Sequence, residues 1–290
     1  MSNLLGAAEI REIAERIGLR PTKKLGQNFV VDANTCRKIV KSADVGPTDI
    51  ALEIGPGLGS LTLAMLESAS EVIAIEIDDR LAAELPETAQ RHGLDTSKLT
   101  ILNQDAMGVT TLPKEPTVLV ANLPYNVSVP VLLRFLELFP TLRSGVVMVQ
   151  SEVADRLVTK PNSKVYGSPS VKATWWADLS SAGTVSRSIF WPVPNVDSSL
   201  VRFVRHQSAG DETLRKATFK IIDAAFAQRR KMLRSALSSL YGSSSLAEEV
   251  LTKAGIEPTL RGEALEISGS CAIALASPEA PLVDIHLPEV

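Results

Sequence analysis

Apolar and polar positions fall into blocks whose period changes along the chain. Residues 1–18 (MSNLLGAAEIREIAERIG) set apolar side chains at helical spacing among interleaved acids and bases, and 32–43 repeat that spacing, so two amphipathic helices are predicted. Short apolar runs follow at 50–54 (IALEI), 71–77 (EVIAIEI), 99–103 (LTILN), 117–122 (TVLVAN) and 145–150 (GVVMVQ), each the length of a buried strand. Helical stretches at 60–68, 79–91, 128–139 and 151–158 lie between and after them. Strands alternating with helices predict an α/β fold with a mostly parallel, doubly wound sheet.

The pattern changes beyond residue 165. PSVKATWWA (169–177) reads as helix with Trp175 and Trp176 in the core, and SSAGTVS (180–186) and SSLVRFVR (198–205) read as two strands around the turn-rich FWPVPNVDS (190–198). Such a pair can close the sheet in antiparallel fashion. From Asp211 the strand signals fade, and 214–228, 229–240 and 245–255 carry apolar residues at helical spacing, with Gly242 and Gly255 as stops. The expected division is a first domain over 1–208 and a small helical domain over 209–290.

Composition narrows the function classes. With 45% hydrophobic and 22% charged residues the 290-residue chain is an ordinary globular protein, and no apolar run is long enough for a membrane span. The N-terminus has no basic segment leading into an apolar one, so no signal peptide is expected. Cys36 and Cys271 are far apart and His92, His206 and His286 are scattered, which points to a reducing, cytoplasmic setting without disulfides or a metal site. The net charge is −3, yet nine Lys or Arg stand against three acids between Arg202 and Arg234, a candidate phosphate-binding face.

Ligands of open α/β sheets bind outside the carboxyl ends of the strands. The first strand ends in Gly55-Pro56-Gly57-Leu58-Gly59, a turn that lets backbone approach a ligand and exposes amides at the following helix. It lacks the dinucleotide spacing, and Pro56 removes an amide that a pyrophosphate would use. Glu76 stands at the end of the second strand, with Asp78 and Asp79 left to cap the next helix, so its carboxylate is available to a ribose diol. Asp105, after the third strand, can accept from an adenine amine, with Met107 against the ring. An adenosine site without a pyrophosphate loop suits S-adenosylmethionine.

The fourth strand breaks into Asn122-Leu123-Pro124-Tyr125. The exocyclic amine of adenine is a poor nucleophile because its lone pair is delocalised into the ring. The Asn122 side-chain oxygen and the Leu123 carbonyl can accept its two N–H bonds and localise that lone pair. Pro124 fixes the turn, and Tyr125 can stack on an extruded base. An activated methyl donor then needs in-line positioning, not a metal or a strong base.

LEIGPGLGSLT, IEID, NQDAM and ANLPYNVSVP occur in this order, with KLGQNFVVD before them and FWPVPNVDSSLVRF and AFAQRRKMLRSAL after. Together they resemble the small-subunit rRNA adenine dimethyltransferases, the KsgA family, over about residues 21–262. The resemblance implies a class I S-adenosylmethionine-dependent methyltransferase fold (Rossmann-like) with a small all-helical C-terminal domain. It also implies dimethylation at N6 of two adjacent adenosines in the 3′-terminal hairpin loop of 16S rRNA, within an assembling small subunit, by a monomer. Carried over, Gln27, Asn28 and Val30 close over the methionine part of the cofactor, Gly55, Gly57 and Gly59 form the turn beside it, Glu76 holds the ribose and Asp105 the adenine. Asn122 to Tyr125 hold the target amine, and Phe190 matches the family's second aromatic, although a core position suits it equally from the residues alone.

Lys23, Lys24, Arg229, Arg230, Lys231 and Arg234 are the candidate rRNA contacts, Arg230 and Arg234 being one helical turn apart on a predicted helix. The sequence departs from the family's F-x-P-P-P run at Phe190-Trp191-Pro192-Val193-Pro194, and 276–290 match no family motif. Two other readings remain: a methyltransferase of a large-subunit adenosine, which shares the N-x-P-Y turn, and an assembly or transcription factor with incidental methylation.

Overall fold

The N-terminal helical spacing produces α1 (Ala7–Arg16) and α2 (Ala33–Ser42), and between them the chain makes a two-residue strand, β1 (Phe29–Val30). α1 buries Ile10, Ile13 and Ala14, and Asp32 caps α2 by accepting the Thr35 N–H at 2.6 Å. The computed structural model describes residues 4–21, 27–124 and 127–277.

The apolar runs become β2 (Ile50–Ile54), β3 (Glu71–Glu76), β4 (Leu99–Asn103), β5 (Val118–Asn122) and β6 (Ser144–Gln150), with α3 (Ser60–Leu66), α4 (Asp79–Arg91) and α5 (Ser128–Leu138) between them. After α6 (Ser151–Val158) and α7 (Ser168–Ala173) come β7 (Ala177–Val185), β8 (Phe190–Trp191) and β9 (Ser198–Arg205). The main sheet has the order β4-β3-β2-β5-β6-β9-β7, parallel from β4 to β6, with β9 antiparallel to β6. This is the predicted α/β sheet with its antiparallel closure. β2 lies between β3 and β5, so the strand order reverses there and opens a crevice at the carboxyl ends of these strands.

β1 and β8 form a separate antiparallel pair, Phe29 opposite Trp191 and Val30 opposite Phe190. The sequence pattern places a turn at 190–198; its first two residues instead join this ladder, extended by the Val31 N–H donating to Ile189 O at 2.7 Å.

Two compact units account for the chain: residues up to Ala154 with Asp178–Arg205, and Asp155–Ala177 with the residues from His206 onward. The division thus differs from a boundary at 208, because 155–177 packs with the helices of the second unit. The Tyr166 ring meets Phe226 edge-on at 5.7 Å and its hydroxyl donates to Leu265 O at 3.0 Å. Trp175 and Trp176, both buried as predicted, meet Phe219 edge-on at 6.1 and 5.4 Å.

The second unit contains α8 (Glu212–Ala227), α9 (Leu233–Ala236), α10 (Ser238–Tyr241), α11 (Ser244–Lys253) and α12 (Ile267–Ala276). The helix predicted over 229–240 is two short ones. Met232 bridges Arg261 and the Leu233 N–H donates to Leu260 O at 2.7 Å, which draws the backbone out of helical register before α9. α12 packs on α8 and was not foreseen.

Candidate active site

A cavity of about 270 Å³ opens at the carboxyl ends of β2, β3 and β5 and is roofed by residues 27–30. Of the residues singled out from sequence, Gln27, Asn28, Val30, Gly55, Gly57, Glu76, Asp105, Asn122 and Pro124 line it. Gly59, Leu123 and Phe190 do not. Lys23, Lys24 and Tyr125 lie outside the described residues.

Each strand end contributes through a local cause. The β2 turn needs left-handed backbone at Gly55 (φ +70°) and Gly57 (φ +57°), and a Cβ on Gly57 would fall 2.8 Å from Phe29 Cε1. Phe29 stacks on Trp191 with centroids 6.2 Å apart, and the Ser60 hydroxyl donates to Val30 O at 2.5 Å. The roof is therefore fastened to the glycine turn on one side and to β8 on the other.

Glu76 is 5% exposed. Its Oε2 accepts the Gly57 N–H at 3.1 Å and its Oε1 accepts the Asp78 N–H at 3.0 Å. Burial pushes this carboxyl up, and the main-chain donors oppose the shift. With main-chain donors on both oxygens, the carboxylate still keeps a lone pair for a ligand. Asp78 caps α4 through the Arg80 N–H, as predicted, so Glu76 is not consumed as a cap. Asp105 accepts the Met107 N–H at 2.9 Å at the head of a short turn.

At the end of β5, Asn122 Nδ2 donates to Asn28 O at 3.1 Å. That bond settles the amide orientation: with the nitrogen on Asn28, the oxygen faces away from it. The Leu123 N–H continues the β5–β6 ladder to Met148 O at 3.0 Å, which buries the leucine side chain to 1% exposure. Pro124 O accepts the Val127 N–H at 3.2 Å, just before α5.

Several expectations need correction. Phe190 is 2% exposed and belongs to the core of the first unit, because its strand position opposite Val30 turns it inward. Met107 does not line the cavity; Ile77, 53% exposed at the end of β3, does. Its signal was available, an apolar residue following the strand-end acid. Arg230 and Arg234 do not share a helix, because Arg230 precedes α9. Arg229 donates to the carbonyls of Tyr166 at 2.9 Å and Lys164 at 2.5 Å, and Arg234 pairs with Glu248 at 3.0 Å. Arg230 and Lys231 are exposed and make no ion pair among the described residues. Sequence reasoning also passed over Glu53, which lines the cavity floor. Among the described residues no cluster of His, Cys, Asp or Glu is placed to hold a metal, and no helix is long and apolar enough to cross a membrane.

Comparison with known proteins agrees with this geometry. The family model for ribosomal RNA adenine dimethylase matches residues 18–273. The chain is 58% identical over 267 residues to ribosomal RNA small subunit methyltransferase A of Leifsonia xyli, covering 91% of this chain and 95% of that one. It is 57% identical over 279 residues to the protein of the same name from Streptomyces griseus, covering 95% and 96%. Among solved structures, a dimethyladenosine transferase from Plasmodium falciparum matches with a TM-score of 0.74 at 24% identity, over 85% of this chain and 96% of that one. The 23S rRNA methyltransferase ErmE matches at 0.65 and 23% identity, over 86% and 98%. These two establish a shared fold.

Proposed function

The chain belongs to the ribosomal RNA adenine dimethylase family, and from that premise we propose how its cavity and its surface divide the work of methylating rRNA. It is an S-adenosylmethionine-dependent adenine dimethyltransferase acting on the RNA of the small ribosomal subunit. The finer reading is that two adjacent adenosines in the 3′-terminal hairpin loop of 16S rRNA, on an assembling subunit in the cytoplasm, each receive two methyl groups at N6. Action as a monomer belongs to the same reading.

The observation that carries the assignment is the convergence on one cavity of a buried carboxylate (Glu76), a glycine turn with no room for a side chain (Gly57) and an amide held by its nitrogen (Asn122). These suit S-adenosylmethionine. Glu76 would hold the ribose hydroxyls and Asp105 the adenine amine, with Ile77 against the base. Gln27, Asn28 and Val30 would cover the methionine end, with Gly55 beneath. When bound, the cofactor supplies a methyl group already activated on a sulfonium.

The protein's part is to orient the nucleophile. The Asn122 side-chain oxygen and the Leu123 main-chain carbonyl accept the target amine's N–H bonds, so that its lone pair leaves conjugation with the ring and points at the methyl carbon. Transfer would break the methyl–sulfur bond and leave neutral S-adenosylhomocysteine, while the newly methylated, cationic amine would release one N–H proton to solvent. Tyr125 stacks on the extruded base. Phe190, the β8 residue opposite Val30, supports the cavity roof from the core.

In the second unit, Arg230 and Lys231 meet rRNA phosphates, while Arg229 and Arg234 shape the turn that presents them. Arg261, exposed beside Met232 across the backbone bridge, adds a third charge. Lys23 and Lys24 are assigned to the same role.

The test is methyl transfer from labelled S-adenosylmethionine to unmethylated small subunits, large subunits and naked 16S rRNA, followed by nucleoside analysis. Dimethyladenosine from small subunits alone is expected. Label confined to large subunits would overturn the assignment. Asn122→Ala should reduce transfer about 100-fold or more while the protein still binds small subunits.

A further inference from the structure

Glu53 has no part in the scheme above, and it is the more deeply buried of the two glutamates in the cavity wall. It sits on β2 at 1% exposure, with Oε2 accepting the Thr62 hydroxyl of α3. Among the described residues no Lys, Arg or His pairs with it. The groups that face it from neighbouring elements are Thr62, the like-charged Glu76 of β3, and the Cys36 thiol of α2, which burial pushes up to about 12 and so keeps neutral. β1 and β5 contribute no titratable side chain. Burial holds the Glu53 carboxyl up at about 8; the Thr62 hydrogen bond opposes this and the Glu76 charge adds to it.

A buried carboxylate with a single neutral donor is costly unless a cation joins it. The chain supplies none among the described residues, yet Glu53 is part of the cavity lining. We propose that Glu53 is the counter-ion for a positive charge that arrives with the cofactor, protonated before a cation enters and ionised once one is bound. The site thereby takes up a cationic adenosine derivative with release of a proton and gains nothing from Glu53 when the ligand is neutral. This rests on the cavity being the S-adenosylmethionine site.

Linkage fixes the sign. If binding expels a proton, affinity rises with pH, by up to about tenfold per pH unit, until Glu53 is ionised in the free protein as well. The experiment is isothermal titration from pH 6 to 9, in buffers of different ionisation heat, for the wild type, Glu53→Gln and Thr62→Val. The ligands are S-adenosylmethionine, S-adenosylhomocysteine and the neutral-sulfur, amine-free methylthioadenosine.

The ratio of Glu53→Gln to wild-type dissociation constants for S-adenosylmethionine should climb with pH and level off above about 8. Any titration of the ligand's own amine cancels in that ratio. Methylthioadenosine should give a flat ratio. Thr62→Val, which removes the one donor, should move the plateau to higher pH, a check that survives a Glu53→Gln variant that fails to fold. A climbing ratio for S-adenosylhomocysteine would identify the ammonium as the cation, and a flat one the sulfonium. A flat ratio for S-adenosylmethionine, or the same climb for methylthioadenosine, overturns the proposal while leaving the cofactor assignment intact. No S-adenosylmethionine binding by the wild type at any pH overturns both.

Discussion

Replacing Gly57 by alanine puts a methyl group where the Phe29 ring already lies. Gly57 sits at φ +57°, a conformation that costs an L-residue about 1–2 kcal/mol. The new Cβ would be 2.8 Å from Phe29 Cε1 and 2.9 Å from Cδ1, whereas non-bonded carbons rest at about 3.5–4.0 Å, so ring or turn must retreat by about 1 Å. The ring has little freedom to do so, being 6% exposed and stacked on Trp191, and overpacking of this kind costs about 1–3 kcal/mol. The sum is about 2–5 kcal/mol. Gly55→Ala is the control, with φ +70° but no atom nearer than 3.9 Å to its added Cβ, so it should cost only the backbone part, about 1–2 kcal/mol. Urea unfolding of the wild type, Gly57→Ala, Phe29→Leu and the double variant should give a coupling of about 1–3 kcal/mol, the packing part that loss of the ring relieves. Gly57→Ala should also weaken cofactor binding more than Gly55→Ala, because the shifted turn carries the N–H that holds Glu76. Equal destabilisation by the two alanines, or no coupling to Phe29, would refute the reasoning.

Three further outcomes follow from the geometry. The unfolded chain releases the Glu53 proton near 4.5, whereas the native chain keeps it to about 8. The native state therefore binds more protons in that window, and stability of the ligand-free protein should fall as pH rises through it, by up to about 1.4 kcal/mol per pH unit; urea unfolding at several pH values should show this for the wild type and a flatter profile for Glu53→Gln. Glu76→Gln loses the charge and one of the two oxygens that accept the Gly57 and Asp78 N–H groups, and should raise the dissociation constant for S-adenosylmethionine about 10-fold or more, read by titration calorimetry, together with a lower melting temperature because one buried N–H is left facing the amide nitrogen. Arg230→Ala with Lys231→Ala should leave melting unchanged and reduce the salt dependence of small-subunit binding by about one unit of slope per charge, whereas Arg229→Ala, which loses two carbonyl partners, should lower stability first.

The parts of this molecule that can be read from sequence are those whose cause is local. A parallel sheet buries both faces, so its strands announce themselves as apolar runs, and each run from IALEI to GVVMVQ forms a strand. The residues at the ends of those runs reach one cavity because the sheet topology brings its carboxyl ends together. What escaped is set by distant partners. α12, ISGSCAIALA, is apolar around most of its circumference and so has no helical stripe to detect. Residues 155–177 join the second unit through aromatic contacts made far along the chain, at Phe219 and Phe226. The RRKMLRSAL stretch has a helical pattern, but pairing with residues 260 and 261 overrides it.

Phe190 and Trp191 show how little sequence decides at such a point. Both are large aromatics in a proline-rich run, and either one suits the core or a ligand. In a strand, successive side chains point to opposite faces, so once Val30 pairs with Phe190 and Phe29 with Trp191, one choice settles both residues. Phe190 goes into the core, and Trp191 goes onto the ring that presses on Gly57. A strand of two residues is too short to carry a period, so this register is fixed by its partner, not by its own pattern. The same pairing makes the roof over the cavity and the FWPVP loop one mechanical piece. A disturbance at Gly57 is therefore expected to reach the loop through Phe29 and Trp191, although nothing near Gly57 in the sequence points to residue 191.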